Sequence, residues 1–305
     1  MKFITFEKPN GERTCGWMND DQTVVDMYEA SSGKLPSKLL EVIENWSSLV
    51  EEINQLQSSP ISKGKYELSE VQIKAPLPRP TSVRDFYAFE EHVKNARARR
   101  GLEVVPEWYE LPVFYFTNHL AIKGPGDQIQ IPPNCEWFDY ELEIACIIGK
   151  EGRNIKAQEA DEYIFGYCIM NDWSARDIQA KEMKVGLGPA KGKDFATSIG
   201  PYIVTKDELQ SYRQGNRYNL SMTAKVNGKL LSSGNFQDIY YTFGEMIERA
   251  SSGVTLYPGD VIGSGTVGTG CILELGTDIH RWLKPNDEVE LEITGLGTLK
   301  NRIIE

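Results

Sequence analysis

From about residue 113 onward, short apolar runs separated by turn residues predict a series of β-strands. Turn signals punctuate these runs roughly every 8 to 15 residues. This spacing favours a mixed-sheet barrel or sandwich over a doubly wound parallel sheet. The predicted strands are Val113–Phe116, Glu141–Gly149, Pro201–Thr205, Asn219–Val226, Asp260–Ser264, Cys271–Leu275 and Glu288–Thr294.

The first 74 residues follow a different pattern. Residues 1 to about 25 alternate in polarity around a turn at Pro9–Glu12, which predicts an opening hairpin. Residues 58–60 and 75–80 contain prolines that read as linkers or extended segments. Before residue 58, helical spacing predicts one amphipathic helix over residues 35–56, with its apolar stripe on a core, formed by Leu39, Leu40, Ile43, Trp46, Leu49, Val50 and Ile53. We therefore predict a small N-terminal α+β domain over residues 1–74 and a larger, strand-rich α+β domain over residues 75–305.

Two acidic residues stand out in one of the predicted strands. Glu141 and Glu143 are two positions apart, so their side chains share a face, while the apolar residues at even positions from 142 to 148 point the other way. Neighbouring carboxylates on a largely apolar strand are costly to bury unless a cation neutralises them. Asp172 follows a second apolar strand and would complete an all-oxygen ligand set. This set suits one divalent cation, Mg²⁺, Mn²⁺ or Ca²⁺.

Bulk composition excludes several classes of protein. The chain has 305 residues and a net charge of −11, which argues against nucleic-acid binding. The N-terminus lacks an apolar core of signal-peptide length, and no run of 18 apolar residues occurs, so we expect a cytoplasmic protein without a membrane span. The five cysteines are scattered and form no C-x-x-C pair, which is typical of reduced, buried thiols.

Several polar residues near these strands are candidates for a site. A helix is predicted after Asp172, and Arg176 and Gln179 would share one of its faces, either as solvated residues or as groups that contact substrate oxygens. Lys193 follows a glycine-rich loop, where a surface position is the simpler interpretation. His92 lies on a polar helix predicted over residues 89–100, and histidine suits proton transfer near neutral pH.

The segment Gly263–Gly268 matches the dinucleotide-binding pattern G-x-G-x-x-G. We expect a strand rather than a helix after it, and a pyrophosphate would then lack a helix N-terminus to bind. A tight turn at Gly265 and Thr266, with backbone groups that line a pocket, is the preferred interpretation.

Taken together, these residues resemble the fumarylacetoacetate hydrolase family over roughly residues 76 to 300. Residues 139–143 are similar to the metal-binding strand of the family, and residues 171–179 are similar to its signature. Residues 188–193 and 263–266, with Glu274 eight positions further on, resemble its two other site segments. Asp85-Phe86-Tyr87, with His92 seven residues after the aspartate, resembles a pattern of fumarylacetoacetase itself. Met183 stands where that enzyme has a substrate-binding tyrosine.

The resemblance implies a role for each of these residues. Asp85 joins Glu141, Glu143 and Asp172 as a metal ligand. His92 is the general base and Glu274 orients it. The residues implied to contact substrate are Lys193, Arg176, Gln179, Tyr115 and Thr266. The resemblance also implies a homodimer and a catalytic domain with a mixed β-sheet roll.

For function, we predict a metal-dependent hydrolase that cleaves a carbon–carbon bond in a 2,4-dioxo acid such as an acylpyruvate or fumarylacetoacetate. The metal would stabilise the enolate that leaves. The same residues allow a lyase or isomerase, such as an oxaloacetate decarboxylase or a 2-oxo acid tautomerase. A binding module without catalysis is a third hypothesis, but such a module has no need for His92, Lys193 and Glu274 together.

Overall fold

A computed structural model describes all residues from 1 to 305. The N-terminal part forms five strands and three helices. These are β1 (Lys2–Glu7), β2 (Arg13–Met18), β3 (Thr23–Asp26), α1 (Met27–Ala30), α2 (Leu39–Glu44), α3 (Trp46–Gln57), β4 (Lys65–Glu67) and β5 (Gln72–Lys74).

The middle part contains the longest strands. Its elements are β6 (Ser82–Phe86), α4 (Glu90–Ala98), β7 (Phe114–Phe116), β8 (Ile122–Lys123), β9 (Gln128–Gln130), β10 (Phe138–Asp139), β11 (Leu142–Ile148), β12 (Gly152–Arg153), β13 (Ile164–Asp172), β14 (Ser174–Ala175), α5 (Arg176–Val185) and β15 (Thr197–Thr205).

The C-terminal part is again rich in short strands. It consists of β16 (Arg213–Gln214), β17 (Arg217–Tyr218), β18 (Ser221–Val226), β19 (Lys229–Asn235), α6 (Phe243–Ser251), β20 (Thr255–Leu256), β21 (Asp260–Gly263), α7 (Ile272–Leu275), β22 (Glu288–Ile293) and β23 (Gly297–Ile304). Five short 3₁₀ helices connect these elements, at Leu68–Glu70, Pro106–Tyr109, Ala160–Tyr163, Lys206–Tyr212 and Phe236–Asp238.

Two mixed sheets dominate the fold and confirm the strand-rich α+β prediction. The larger sheet has the order β4-β3-β2-β1-β15-β13-β11-β21-β6-β7, with β5 on β1 and β8 on β15. The smaller sheet has the order β19-β18-β22-β23-β9. Most neighbours are antiparallel, but β6 pairs with β21 in parallel, and so do β9 with β23 and β8 with β15. No helix is long and apolar enough to cross a lipid bilayer.

Strand β11 lies between the two main hydrophobic cores. Its even-numbered side chains from Leu142 to Ile148 enter a core of 44 residues, whereas Ala145 and Ile147 enter a second core of 21 residues. This alternation is the one expected of a strand that is buried on both faces. Glu143 shares the face of Ala145 and Ile147, so the chain buries a carboxylate in the middle of its largest sheet.

The N-terminal part adds strands to the same large sheet. Strand β1 pairs with β15, where Phe3 lies opposite Ile203. The predicted opening hairpin is present as β1 and β2, and β3 extends it to a third strand. The single helix predicted over residues 35–56 is divided at Asn45 into α2 and α3. The domain boundary near residue 74 stays a prediction, because the sheet continues across it.

The prediction of a strand at Cys271–Leu275 is wrong. Residues Ile272–Leu275 form the short helix α7, which is followed by Gly276 with a φ of 94°. The backbone N–H groups of Ile272 and Leu273 donate to the buried carboxylate of Asp139, at 2.8 and 3.1 Å. That carboxylate satisfies the free N–H groups of a helical turn. Since the partner is more than 130 residues away, the local apolar pattern contains no sign of it.

Candidate functional site

A cavity of about 290 Å³ opens beside the large sheet, where four of its neighbouring strands end. Strands β6, β21, β11 and β13 lie side by side, so polar residues at their ends meet. Nine residues predicted from the sequence line the cavity: Asp85, His92, Tyr115, Glu141, Glu143, Arg176, Gln179, Lys193 and Thr266. Glu274 and Asp172 do not line it, but each contacts residues that do.

Four buried carboxylates form what we call the carboxylate cluster: Asp85, Glu141, Glu143 and Asp172. Oxygen atoms of Asp85, Glu141 and Glu143 lie within 4.8 Å of one another. Asp172 is outside that close group and binds Lys193 and Tyr115 through its Oδ2 atom. The predicted pairing of Glu141 and Glu143 on one face is therefore present, and Asp85 adds a third acid from β6.

The members of the carboxylate cluster differ in their electrostatic surroundings. Burial opposes the ionisation of Glu141, but Lys193 and Arg176 outweigh it and lower its pKa to about 2. Glu143 has no cation beside it, and burial together with the charges of Asp85 and Glu141 raises its pKa well above the ordinary value. Burial and Asp172 do the same to the pKa of Asp85. The protein thus lacks enough positive charge to keep all these acids ionised.

Two oxygen atoms of the carboxylate cluster accept no hydrogen bond from an N–H or hydroxyl group. They are Glu143 Oε2 and Asp172 Oδ1, both on side chains that are completely buried. Unpaired buried polar atoms are rare in folded proteins and need an explanation. A divalent cation supplies one, because it would pair with these oxygens and offset the surplus negative charge. The donor set is entirely oxygen, which fits Mg²⁺, Mn²⁺ or Ca²⁺.

Two cations border the carboxylate cluster. Lys193 is only 3% exposed, and its Nζ atom lies 2.7 Å from Asp172 Oδ2 and also donates to Glu141. Arg176 Nη2 lies 2.8 Å from Glu141 Oε1, an ion pair whose geometry falls short of a hydrogen bond. Arg176 also donates to Gln179 Oε1 at 3.3 Å. Lys193 is therefore not the surface residue that its loop suggested.

The histidine and glutamate predicted to work together are in contact. His92 Nδ1 lies 2.6 Å from Glu274 Oε2, and both residues are buried. Burial opposes the ionisation of Glu274, but His92 and the donors Thr269 N and Asn95 Nδ2 outweigh it and lower its pKa. An ionised carboxylate only accepts, so Nδ1 carries a proton in this contact and Nε2 is the ring nitrogen that the contact leaves available.

The turn of the G-x-G-x-x-G segment forms one wall of the cavity, as expected. Gly265 has a φ of 76°, and a Cβ atom there would lie 2.4 Å from the carbonyl oxygen of Phe86. Its N–H donates to Asp85 Oδ1 at 3.2 Å, and Thr266 Oγ1 donates to Glu143 Oε1 at 3.3 Å. The backbone approaches so closely that only glycine fits at position 265.

Sequence reasoning misses several other residues of the site. Asp139 continues the spacing of Glu141 and Glu143, but its carboxylate turns away to bind Arg176 Nε at 2.9 Å and to cap α7. Arg97, on α4, and Arg100, just after the end of that helix, also line the cavity. They follow the candidate base His92 by five and eight residues, and this proximity in the chain is the only local signal that could have suggested them.

Comparison with known proteins decides the family. Residues 81–304 match the family model described as fumarylacetoacetate (FAA) hydrolase, C-terminal. The chain belongs to the fumarylacetoacetate hydrolase family. Oxaloacetate tautomerase YisK of Bacillus subtilis (strain 168) is 30% identical over 317 residues, which cover 99% of this chain and 100% of the relative. The mitochondrial oxaloacetate tautomerase FAHD2B of Bos taurus is 32% identical over 313 residues, with 100% and 92% covered.

A solved structure of this family has the same fold. The fumarylacetoacetate hydrolase (EaFAH) from psychrophilic Exiguobacterium antarcticum superposes with a TM-score of 0.74 at 27% identity, over 100% of this chain and 99% of the other. The family and the strand-rich fold predicted from sequence are therefore confirmed, and the chain is an enzyme of this superfamily. The finer prediction of a hydrolase is not confirmed, since the two curated relatives above are named as tautomerases.

Proposed function

We propose that this enzyme interconverts the keto and enol forms of oxaloacetate or of a closely related 2-oxo dicarboxylic acid. The observation that carries the proposal is the full-length similarity to two relatives named as oxaloacetate tautomerases. The cavity supports it, because one buried acid–base pair faces a cluster of cations and carboxylates there. Tautomerisation requires these groups and no activated water molecule.

His92 is the proposed acid–base group. In the keto form, Nε2 takes a proton from the carbon next to the ketone, the C–H bond breaks, and a carbon–carbon double bond forms as the carbonyl electrons move to oxygen. The same proton then passes to that oxygen to give the enol. Glu274 holds the ring and stabilises its charged form, which is the usual task of a carboxylate behind a catalytic histidine.

Lys193, Arg176 and Gln179 are proposed to stabilise the oxygen on which charge develops. All three line the cavity, and fixed donors of this kind act strongly where water is excluded. The carboxylate cluster would hold one divalent cation, which when bound supplies Lewis-acid stabilisation of the same oxygen. Tyr115 donates to Asp172 at 2.5 Å and so fixes the orientation of one proposed ligand.

Arg97 and Arg100 are proposed to bind the second carboxylate of the substrate. Both line the cavity, and the Nε atoms of their side chains donate only to backbone carbonyls, those of Glu103 and Ala96. In a chain with 44 acidic residues, two arginines that line a cavity and have no carboxylate partner are suited to an anionic ligand. A dicarboxylic acid would place one carboxylate near the carboxylate cluster and the other near this pair.

Hydrolysis of a 2,4-dioxo acid is the second candidate, and the structural similarity to a fumarylacetoacetate hydrolase favours it. The same histidine would then activate a water molecule, and the same cations would stabilise the leaving enolate. The two reactions thus use one site and differ in their products.

A substrate assay separates these candidates. Purified enzyme with Mg²⁺ or Mn²⁺ should accelerate the decay of enol oxaloacetate, followed by its ultraviolet absorbance, without release of pyruvate or CO₂. Acetylpyruvate should release no acetate. Acetate release at a faster rate than oxaloacetate tautomerisation would replace the proposal with hydrolysis, and CO₂ release would replace it with decarboxylation. The cytoplasmic location and the homodimer stay predictions.

A further inference from the structure

Glu182 is linked to the active site by an unusual set of hydrogen bonds. It lies on α5, the helix that also carries Arg176 and Gln179. Its carboxylate accepts three consecutive backbone N–H groups from the loop that follows: Ala190 at 2.9 Å, Lys191 at 2.7 Å and Gly192 at 3.1 Å. The next residue in that loop is Lys193. A turn with successive N–H groups pointing inward is a typical anion site, and here the anion comes from the protein itself.

The same loop also packs against α5 through other contacts. A Cβ atom on Gly192 would lie 2.7 Å from the Cβ atom of Gln179, so the loop backbone touches the helix. The carbonyl of Gly192 accepts from the N–H of Ala175 at 2.9 Å. Burial opposes the ionisation of Glu182, but the three N–H donors and Lys191 outweigh it and lower its pKa. Glu182 is thus a carboxylate held in its charged form.

Lys193 needs an anchor that does not depend on the carboxylate cluster. The residues that bind its Nζ atom are Glu141 and Asp172, which are also proposed metal ligands. A bound cation would share their oxygens and weaken their hold on the lysine. The loop before Lys193 contains Gly186 and Gly188, both at positive φ, so it has little stiffness of its own.

We propose that Glu182 is a positioning residue that fixes Lys193 for the reaction by anchoring the backbone of residues 190–192 to α5. This inference rests on the proposed function, because it requires Lys193 to act on the substrate. Glu182 itself is outside the cavity lining and has no contact with the reacting groups.

The test is a double-mutant cycle between Glu182→Gln and Lys193→Met, with Lys184→Gln as a matched control at an exposed position of the same helix. Glutamine keeps the shape but turns an NH₂ group toward the loop N–H donors. We expect E182Q to lower kcat about tenfold with little change in KM, since small misplacements of a catalytic group are costly. In the K193M background the same change should have no further effect, because the residue that it positions is gone.

A measurement independent of activity accompanies the cycle. Hydrogen exchange at residues 190–192 should become faster in E182Q and remain unchanged in K184Q, and Glu182→Asp, which is too short to reach all three donors, should lie between wild type and E182Q. Equal losses of kcat from E182Q with and without Lys193, or unchanged kcat in E182Q, would overturn the inference. If K193M itself keeps full activity, then the proposed role of Lys193 in the reaction is wrong.

Discussion

Two charge clusters in this molecule have opposite character. In the N-terminal part, Lys8 Nζ lies 3.1 Å from the buried Asp26 and 2.8 Å from the more exposed Glu12 and Glu29, and Asp26 also accepts from Thr14 and from N–H groups of α1. We call Lys8, Glu12, Asp26 and Glu29 the N-terminal ion cluster. Every buried side-chain oxygen or nitrogen of that cluster has a partner, whereas the carboxylate cluster leaves Glu143 Oε2 and Asp172 Oδ1 without one.

The difference separates a structural role from a functional one. A cluster whose buried polar atoms all have partners, and whose additional acids reach solvent, needs nothing further and helps to hold the fold. A cluster with surplus negative charge and unpaired oxygens destabilises the ligand-free protein. Proteins retain such a cluster where a bound ligand offsets the lost stability. Buried charge is therefore not a signal of function in itself. Unpaired buried charge beside a cavity is the signal.

The largest expected effect on activity comes from a substitution in the carboxylate cluster. Glu143→Gln removes one acid that has no cation partner, and we expect turnover with Mg²⁺ or Mn²⁺ to fall by roughly 10³-fold, because stabilisation of the reacting oxygen is lost. At the same time the metal-free protein should become more stable to heat. Steady-state kinetics and thermal unfolding in chelator would show both changes. Full activity in this variant would remove Glu143 from the ligand set.

The N-terminal ion cluster should respond in the opposite way. Asp26→Asn removes the only fully buried carboxylate partner of Lys8, which keeps the more exposed Glu12 and Glu29. We expect a loss of about 2 kcal/mol in the free energy of unfolding, as is typical when a hydrogen bond to a charged group is lost. Activity per folded molecule should not change, since Asp26 lies in the N-terminal ion cluster rather than the cavity. Urea unfolding measures the first effect. If the variant were as stable as wild type, the N-terminal ion cluster would not hold the fold.

Arg97 and Arg100, which have no carboxylate partner, extend the comparison from unpaired acids to unpaired cations. Arg100→Gln should raise KM for oxaloacetate about tenfold, as expected for the loss of a charged contact, and should leave kcat nearly unchanged because the proposed contact is with the second carboxylate of the substrate and not with the reacting carbon. Lys94→Gln is the matched control, because Lys94 is exposed on the neighbouring helix α4 and already pairs with Glu90. An equal rise in KM for both variants would indicate only a general effect of surface charge.

The smallest effect is a pH dependence of the metal-free enzyme. Glu143 and Asp85 have raised pKa values in the folded protein, above ordinary values of 4.5 and 3.8. The folded state then holds protons that the unfolded state has released, so these groups reduce stability as pH rises above about 4. The stability gained by E143Q over wild type should therefore grow with pH, by up to about 1.4 kcal/mol for each pH unit. A constant difference would show that the pKa of Glu143 is not raised.

The sequence predicts the members of the carboxylate cluster better than it predicts the contacts of the neighbouring residue Asp139. Glu141 and Glu143 are two apart in a strand, so their shared face follows from backbone geometry alone. Asp139 has the same spacing, yet it binds Arg176 and caps α7, because the strand is interrupted at Tyr140 and Glu141. Such long-range contacts leave no periodic signal.

The same limit explains why sequence reasoning misses Glu182. Its partners are backbone N–H groups of the loop, and almost any residue type could supply them. The pattern of side chains along α5 therefore contains no information about the contact. The expected surface position of Lys193 is wrong for a related reason, since a glycine-rich loop is typical of exposed positions and the buried partners of this lysine come from elsewhere in the chain.

The central claim is that the carboxylate cluster is incomplete without a dication. Titration of chelator-treated enzyme with Mn²⁺ by calorimetry, in two buffers of different ionisation enthalpy, tests it most directly. We predict one Mn²⁺ per chain with release of protons, because acids with raised pKa must ionise to bind it, and at least about 100-fold weaker binding in E143Q. No saturable binding at millimolar Mn²⁺, or equal binding by the variant, would contradict the claim.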